Sequence, residues 1–139
     1  MKLKIVIVAL LTVINSANAQ NNTILQKNSI PIEMLFPQGK SKALILSFDD
    51  GRISDRHLVK LMNKYGLVGT FHLNSNKLGT NDYLAKEEIK NLYKGHEVSG
   101  HTANHPNLTT LPKQDVISEV LDDRKELERL MRSPVRGMS

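Results

Sequence analysis

Two adjacent carboxylates, Asp49 and Asp50, close the apolar segment Ala43-Leu44-Ile45-Leu46-Ser47-Phe48 and are followed by Gly51. Further along, two imidazoles stand one helical turn apart in Ser99-Gly100-His101-Thr102-Ala103-Asn104-His105-Pro106. Carboxylate and imidazole are the ligand types of hydrolytic metal sites. They suit Zn²⁺ first, with Co²⁺, Ni²⁺ or Mn²⁺ as alternatives, and three protein ligands leave a position for water. Strand alternation predicts that Asp49 and Asp50 point to opposite sides, so that one binds metal while the other stays free. Pro106 disfavours the α conformation at His105, which predicts an irregular turn between the two histidines. Each motif is ambiguous by itself, because Asp-Asp-Gly is ordinary turn chemistry and two histidines do not define a metal. Their joint appearance after successive strands points to a site.

The remaining candidates are weaker. His57 is expected on the exposed flank of a helix, and His72 lies in a strand facing either core or pocket, with no catalytic role assigned. His96 follows Gly95 and is expected to position that turn. Ser47 has no base adjacent in sequence, which argues against a serine nucleophile. The chain has no cysteine, so disulfides and thiolate metal sites are excluded.

The elements that must position these groups follow a strand, helix, strand order. Ala43–Phe48 reads as a parallel strand buried on both faces. Ser54 or Asp55 can cap a helix with Leu58, Leu61, Met62 and Tyr65 inward and Gly66 as its stop. A second strand over Leu67–Leu73, a short helix around Lys86–Tyr93 and a third strand over His96–Ser99 come next. A long helix is predicted from about Pro112 to Met131, with Val116, Ile117, Val120, Leu121, Leu127 and Leu130 on one side. Its acids Asp115, Glu119, Asp122 and Asp123 precede its bases, as the helix dipole favours, and read as a solvated face. This is an α/β chain with a parallel sheet, whose reactive groups belong at the carboxyl ends of the strands.

Residues 1–19 read as a secretory signal peptide, with Lys2 and Lys4, an apolar run from Ile5 to Ile14, and Ala17-Asn18-Ala19 before the cut. That run is shorter than the ~20 residues of a spanning helix, so an exported protein without a stable membrane anchor is expected, periplasmic or extracellular. Residues 20–40, rich in Asn, Gln, Ser and Pro, read as a linker, and 41–139 as the domain. Loss of Lys2 and Lys4 lowers the formal charge from +5 to +3, with bases interleaved among acids. No nucleic-acid footprint is evident in that pattern.

Ser47-Phe48-Asp49-Asp50-Gly51, Gly69-Thr70-Phe71 and Gly95-His96-Glu97-Val98-Ser99-Gly100-His101-Thr102-Ala103-Asn104-His105-Pro106 together resemble the polysaccharide deacetylases, the carbohydrate esterases with the NodB-homology domain. The first motif is usually Thr-Phe-Asp-Asp-Gly, so Ser47 is a mild departure; the His-Ser/Thr-x-x-His motif is matched in full. The resemblance implies a distorted, incomplete (β/α) barrel in which Asp50, His101 and His105 hold a divalent metal. It also implies that Asp49 is the general base for water attacking an N- or O-acetyl carbonyl of an acetylated glycan, with the metal and a backbone N–H stabilising the oxyanion. In such a family a motif with Arg and Pro follows the long helix, matched loosely by Arg132-Ser133-Pro134. Arg136 is a candidate neighbour of Asp49. The later acidic and aromatic motif, and the segment whose histidine is the general acid, would lie past Ser139. The expectation is therefore a chain truncated at its C-terminus, with weak activity of its own. A noncatalytic carbohydrate- or metal-binding remnant is the alternative, and a phosphoester hydrolase on a similar barrel is a third reading that the paired motifs disfavour.

Overall fold

The computed structural model describes residues 34–139; the segment read as a signal peptide and linker residues 20–33 lie outside them. By its internal contacts the chain divides into Met1–Ala43 and Leu44–Ser139. In the described part of the first unit, Pro37–Gly39 form a single 3₁₀ turn, closed by the Phe36 N–H donating to the Lys40 carbonyl at 2.8 Å. Among the described residues, the second unit carries the named strands and the candidate ligands.

Three short parallel strands, β1 (Ser47–Asp50), β2 (Thr70–Leu73) and β3 (Glu97–Gly100), lie in the order β1-β2-β3. Helix α1 (Asp55–Lys64) links β1 to β2, α2 (Ile89–Leu92) precedes β3, and α3 (Lys113–Met131) comes after it. The register aligns Phe48, Phe71 and Val98 in one row and Asp49, His72 and Ser99 in the next. Neighbouring rows face opposite sides of the sheet. The apolar row meets the helices: Phe71, fully buried, lies 5.3 Å from the Phe48 ring and 4.5 Å from Tyr93, itself fully buried beside Ile89. Each such side chain contributes about 1.5–3 kcal/mol by leaving water.

The other row is polar, so the first strand is not apolar on both faces. It also begins later than its hydrophobic run suggested, because Leu44 and Ile45 are 76% and 84% exposed. The cause is the partner strand. β2 starts at Thr70, whose N–H reaches the Leu46 carbonyl at 2.9 Å, and Val68 before it is exposed. The backbone upstream of Leu46 therefore has no ladder on that side.

In α1 the buried residues are Asp55, Val59 and Met62, with Leu58 partly covered. Leu61 and Tyr65, expected inside, are exposed, since the buried stripe runs i, i+4, i+7 from Asp55 rather than from Leu58. Ser54 has helical backbone angles and makes no capping bond, while Gly66 ends the helix region at φ +65° as expected. In α3 burial is concentrated in the second half. Leu127 is fully buried and Leu130 partly so, whereas Ile117 and Leu121 lie open. Beyond α3, where no further strand was expected, Met138 bridges in parallel to Gly100 of β3. The Gly100 N–H donates to the Gly137 carbonyl at 3.0 Å, and the Ser139 N–H to the Gly100 carbonyl at 3.1 Å.

Candidate metal centre

All three predicted ligands come to the carboxyl ends of the strands. Asp50 ends β1, His101 comes directly after β3, and His105 hangs from the loop beyond it. Asp50 Oδ1 lies 3.9 Å from His101 Nε2 and 3.8 Å from His105 Nε2, and the two rings meet edge to face with centroids 4.8 Å apart. One ligand atom from each falls within 4.8 Å of the others. Bonds of about 2.0–2.1 Å to a tetrahedral cation place donors roughly 3.3 Å apart, so Asp50 is within about half an ångström of the required spacing to each histidine. The donors fit a divalent cation that prefers nitrogen and oxygen.

Backbone conformation supplies the aim. Asp50, Thr102 and His105 have φ of 81°, 64° and 58°, a left-handed region that non-glycine residues seldom occupy. At Asp50 this breaks the strand alternation, and the two carboxylates are not opposed as the sequence predicted. Asp49 Oδ1 lies 3.4 Å from Ser139 Oγ, which is 3.0 Å from His101 Nδ1, while Asp50 approaches the same ring at Nε2. At His105 the chain is neither helical nor extended, so the irregular turn before Pro106 is present in a tighter form. The His105 N–H donates to Thr102 Oγ1 at 3.1 Å, which fixes that turn.

The surroundings of the His101 ring favour one tautomer. Its Nδ1 lies 2.8 Å from the Ser139 carbonyl, which can only accept; the proton therefore belongs on Nδ1 and the Nε2 lone pair faces Asp50. The loop below is held by polar groups, of which Asn74 and Asp123 are buried. Fully buried Asn74 donates from Nδ2 to the carbonyls of His101 and, at 2.9 Å, Thr102. Glu119 receives the Asn104 N–H at 2.8 Å and its side-chain amide at 2.6 Å. Asp123, 1% exposed, accepts the Ser75 N–H at 2.8 Å and the His101 N–H at 2.9 Å. Burial pushes the Asp123 carboxyl above the ordinary carboxylate range, opposed by those two amides.

Asp123 thus corrects the reading of α3 acids as a wholly solvated face. The signal was present: Asp123 falls in the spacing Val116, Val120, Asp123, Leu127, Leu130, the stripe that elsewhere carries apolar residues. Glu119 and Asn74 carried no comparable signal. Beneath the Asp50 turn, Tyr93 Oη donates to buried Asp55 at 2.6 Å; burial raises the Asp55 carboxyl against this bond and the Tyr93 hydroxyl well above the ordinary phenol range. On the rim, Arg52 Nε lies 3.3 Å from Asp50 Oδ2 with its guanidinium 4.3 Å over the Tyr83 ring.

The remaining histidines separate cleanly. His57 is exposed. His96 takes the Gly69 N–H at 3.3 Å, stands 3.2 Å from Asn63 Oδ1 and packs edge-on to Phe71, so it ties β2 to α1 as well as shaping its own turn. His72 faces the polar side, and its Nε2 lies 2.9 Å from Ser47 Oγ. An imidazole from the neighbouring strand thus reaches Ser47, which sequence adjacency did not show. Arg136 lines a hollow with His96, Glu97 and Val98 at the amino end of β3, away from Asp49.

A family model described as polysaccharide deacetylase matches residues 37–139. The chain belongs to the polysaccharide deacetylase family. It is 27% identical over 96 residues to the peptidoglycan-N-acetylglucosamine deacetylase of Bacillus cereus, covering 68% of this chain and 44% of that protein. Among solved structures it is similar to the Streptococcus pyogenes deacetylase PplD in complex with acetate, with a TM-score of 0.67 at 21% identity over 82% of this chain and 49% of that one. A family 4 carbohydrate esterase from Bacillus anthracis gives a TM-score of 0.60 at 19% identity, over 86% and 56% of the two chains. These likenesses establish a deacetylase-type α/β fold with a parallel sheet. The chain spans less than half the length of the Bacillus cereus relative. Among the described residues no helix is long and apolar enough to cross a membrane.

Proposed function

We propose that this polysaccharide deacetylase chain is exported, binds a divalent cation, Zn²⁺ by preference, through Asp50, His101 and His105, and removes acetyl groups from an acetylated glycan. The observation that carries the reading is the convergence of those three side chains within 4.8 Å at the strand ends, with Asp49 beside them. A cation held there supplies Lewis acidity toward an acyl oxygen and brings the pKa of water near 7.

The chain's own residues have the following parts. Asp49 is exposed and bonded to a hydroxyl rather than to a cationic side chain, so it can take the proton of a water that attacks the acetyl carbonyl. The new carbon–oxygen bond replaces the carbon–nitrogen bond of an N-acetyl sugar; acetate leaves, and the amine takes a proton. The Ser139 carbonyl holds His101 in the tautomer that presents Nε2. Asn74 and Thr102 hold the loop between the two histidines. The signal-peptide reading of residues 1–19 supports export, and the activity for which the Bacillus cereus relative is named supports N-acetylglucosamine polymers as the first substrates to try.

The test is acetate release from acetylated glucosamine oligomers by the metal-loaded chain, compared with Asp49→Asn. A general base is worth about 10²–10⁴-fold, so Asp49→Asn should lose at least about 100-fold in rate while binding Co²⁺ as tightly as before. Equal rates refute the role of Asp49. Metal and glycan binding without acetate release would instead select a binding module.

A further inference from the structure

Asp123 occupies a costly place. It sits on the inward stripe of a 19-residue helix, 1% exposed, where the same spacing carries Val120 and Leu127, and its partners among the described residues are backbone amides rather than a cationic side chain. Its carboxylate crosses to the sheet and spends each oxygen on a different loop. Oδ1 takes the N–H of Ser75, two residues beyond β2, and Oδ2 takes that of His101, the first residue beyond β3. The fit is tight, for a Cβ on Gly100 would stand 2.9 Å from Asp123 Oδ2. Both partners are donors, so the ionised carboxylate offers one acceptor oxygen to each.

His101 is consequently fixed at both ends, by Asp123 at its main chain and by the Ser139 carbonyl at its ring. An apolar residue at 123 would pack the helix without a buried charge, but would leave two amides without acceptors. We infer that Asp123 is the positioning residue of the metal centre, clamping the ends of β2 and β3 so that His101 Nε2 faces Asp50 and His105. This rests on the metal reading proposed above. It also makes α3, which supplies no ligand, a determinant of cation affinity.

The experiment is titration of the metal-free full chain with Co²⁺, read by its visible absorption, in wild type, Asp123→Asn, Gly100→Ala and Leu127→Ala. Asn is nearly isosteric but offers one acceptor, so one of the two amides goes unmet. Gly100→Ala keeps the carboxylate and crowds it out of place. Outer-shell partners typically govern 10–100-fold in metal affinity; Asp123→Asn and Gly100→Ala should each weaken Co²⁺ binding by about that factor and alter the Co²⁺ band. Leu127→Ala removes packing from the same helix and should leave affinity and band unchanged. If either site variant binds Co²⁺ like wild type, or if Leu127→Ala weakens it as much, the inference fails while the metal reading stands. A wild-type chain that takes up no Co²⁺ overturns both. A failure of Asp123→Asn to fold leaves Gly100→Ala to decide.

Discussion

Replacing Tyr93 by Phe isolates one bond beneath the Asp50 turn. The ring keeps its packing 4.5 Å from Phe71, and only the hydroxyl that donates to Asp55 at 2.6 Å is lost. Both residues are buried, so water does not readily replace the donor. A hydrogen bond to a charged group contributes about 1.5–3 kcal/mol, which for a domain of this size lowers the melting temperature by about 10 °C. The pH dependence comes from Asp55. Burial raises its folded pKa above the ordinary 3.8, so the native state holds this proton more tightly than the unfolded chain does. Its contribution to stability accordingly falls as pH rises from 3.8 through the folded value. Loss of the Tyr93 hydroxyl, which favours the anion, raises the folded value further. The penalty of Tyr93→Phe should be smaller near pH 4 than near pH 7. Urea denaturation at both pH values, repeated in an Asp55→Asn background where the hydroxyl meets a neutral acceptor, measures this. A penalty below about 0.5 kcal/mol at pH 7, or one equal in both backgrounds, refutes the reasoning.

Two further perturbations probe the periphery of the site and the seat of α3. Arg52→Gln frees Asp50 Oδ2 from a guanidinium 3.3 Å away and removes a positive charge that opposes an incoming cation; isothermal titration should show Co²⁺ binding about 3–10-fold tighter, and weaker binding would mean that Arg52 orients Asp50. Glu126 is held down to about 2 by Arg129, at 2.7 Å, and then by Lys86, at 3.1 Å. Its contribution is present above its ordinary 4.5 and lost as pH falls toward 2, so Glu126→Gln should reduce the fall in melting temperature between pH 5 and 3 by roughly 3 °C. An unchanged acid limb would show that this ion pair does not fasten α3.

Much of the candidate site was legible because its chemistry is written in residue types. Asp49, Asp50, His101 and His105 lie at or just past strand ends, and a parallel sheet gathers those ends on one rim. Element order was equally readable from Gly66, Gly95 and the periodicity of α3. Boundaries were less so. Leu44 and Ile45 look like core, and whether they are covered depends on where β2 begins, a pairing that the local pattern does not encode. The direction of Asp50 was missed for a related reason: alternation is a property of regular strands, and φ at Asp50 is +81°.

The hidden part is the support of the loops. Three non-glycine residues at positive φ, each costing on the order of 1–3 kcal/mol, lie within the short stretches that carry the ligands. Such conformations persist only where surroundings over-determine them. Here Asn74 grips the carbonyls of His101 and Thr102, Asp123 the amide of His101, Glu119 that of Asn104, and Thr102 that of His105. Except for Thr102, which sits three positions from His105 in the same loop, these partners lie one strand or one helix away, 15 to 28 positions distant in sequence, so no window of local pattern joins them. Asp123 alone betrayed itself, as a charge on an apolar stripe. A polar residue at a core position of an element that bears no ligand is therefore the place to look for what aims a site.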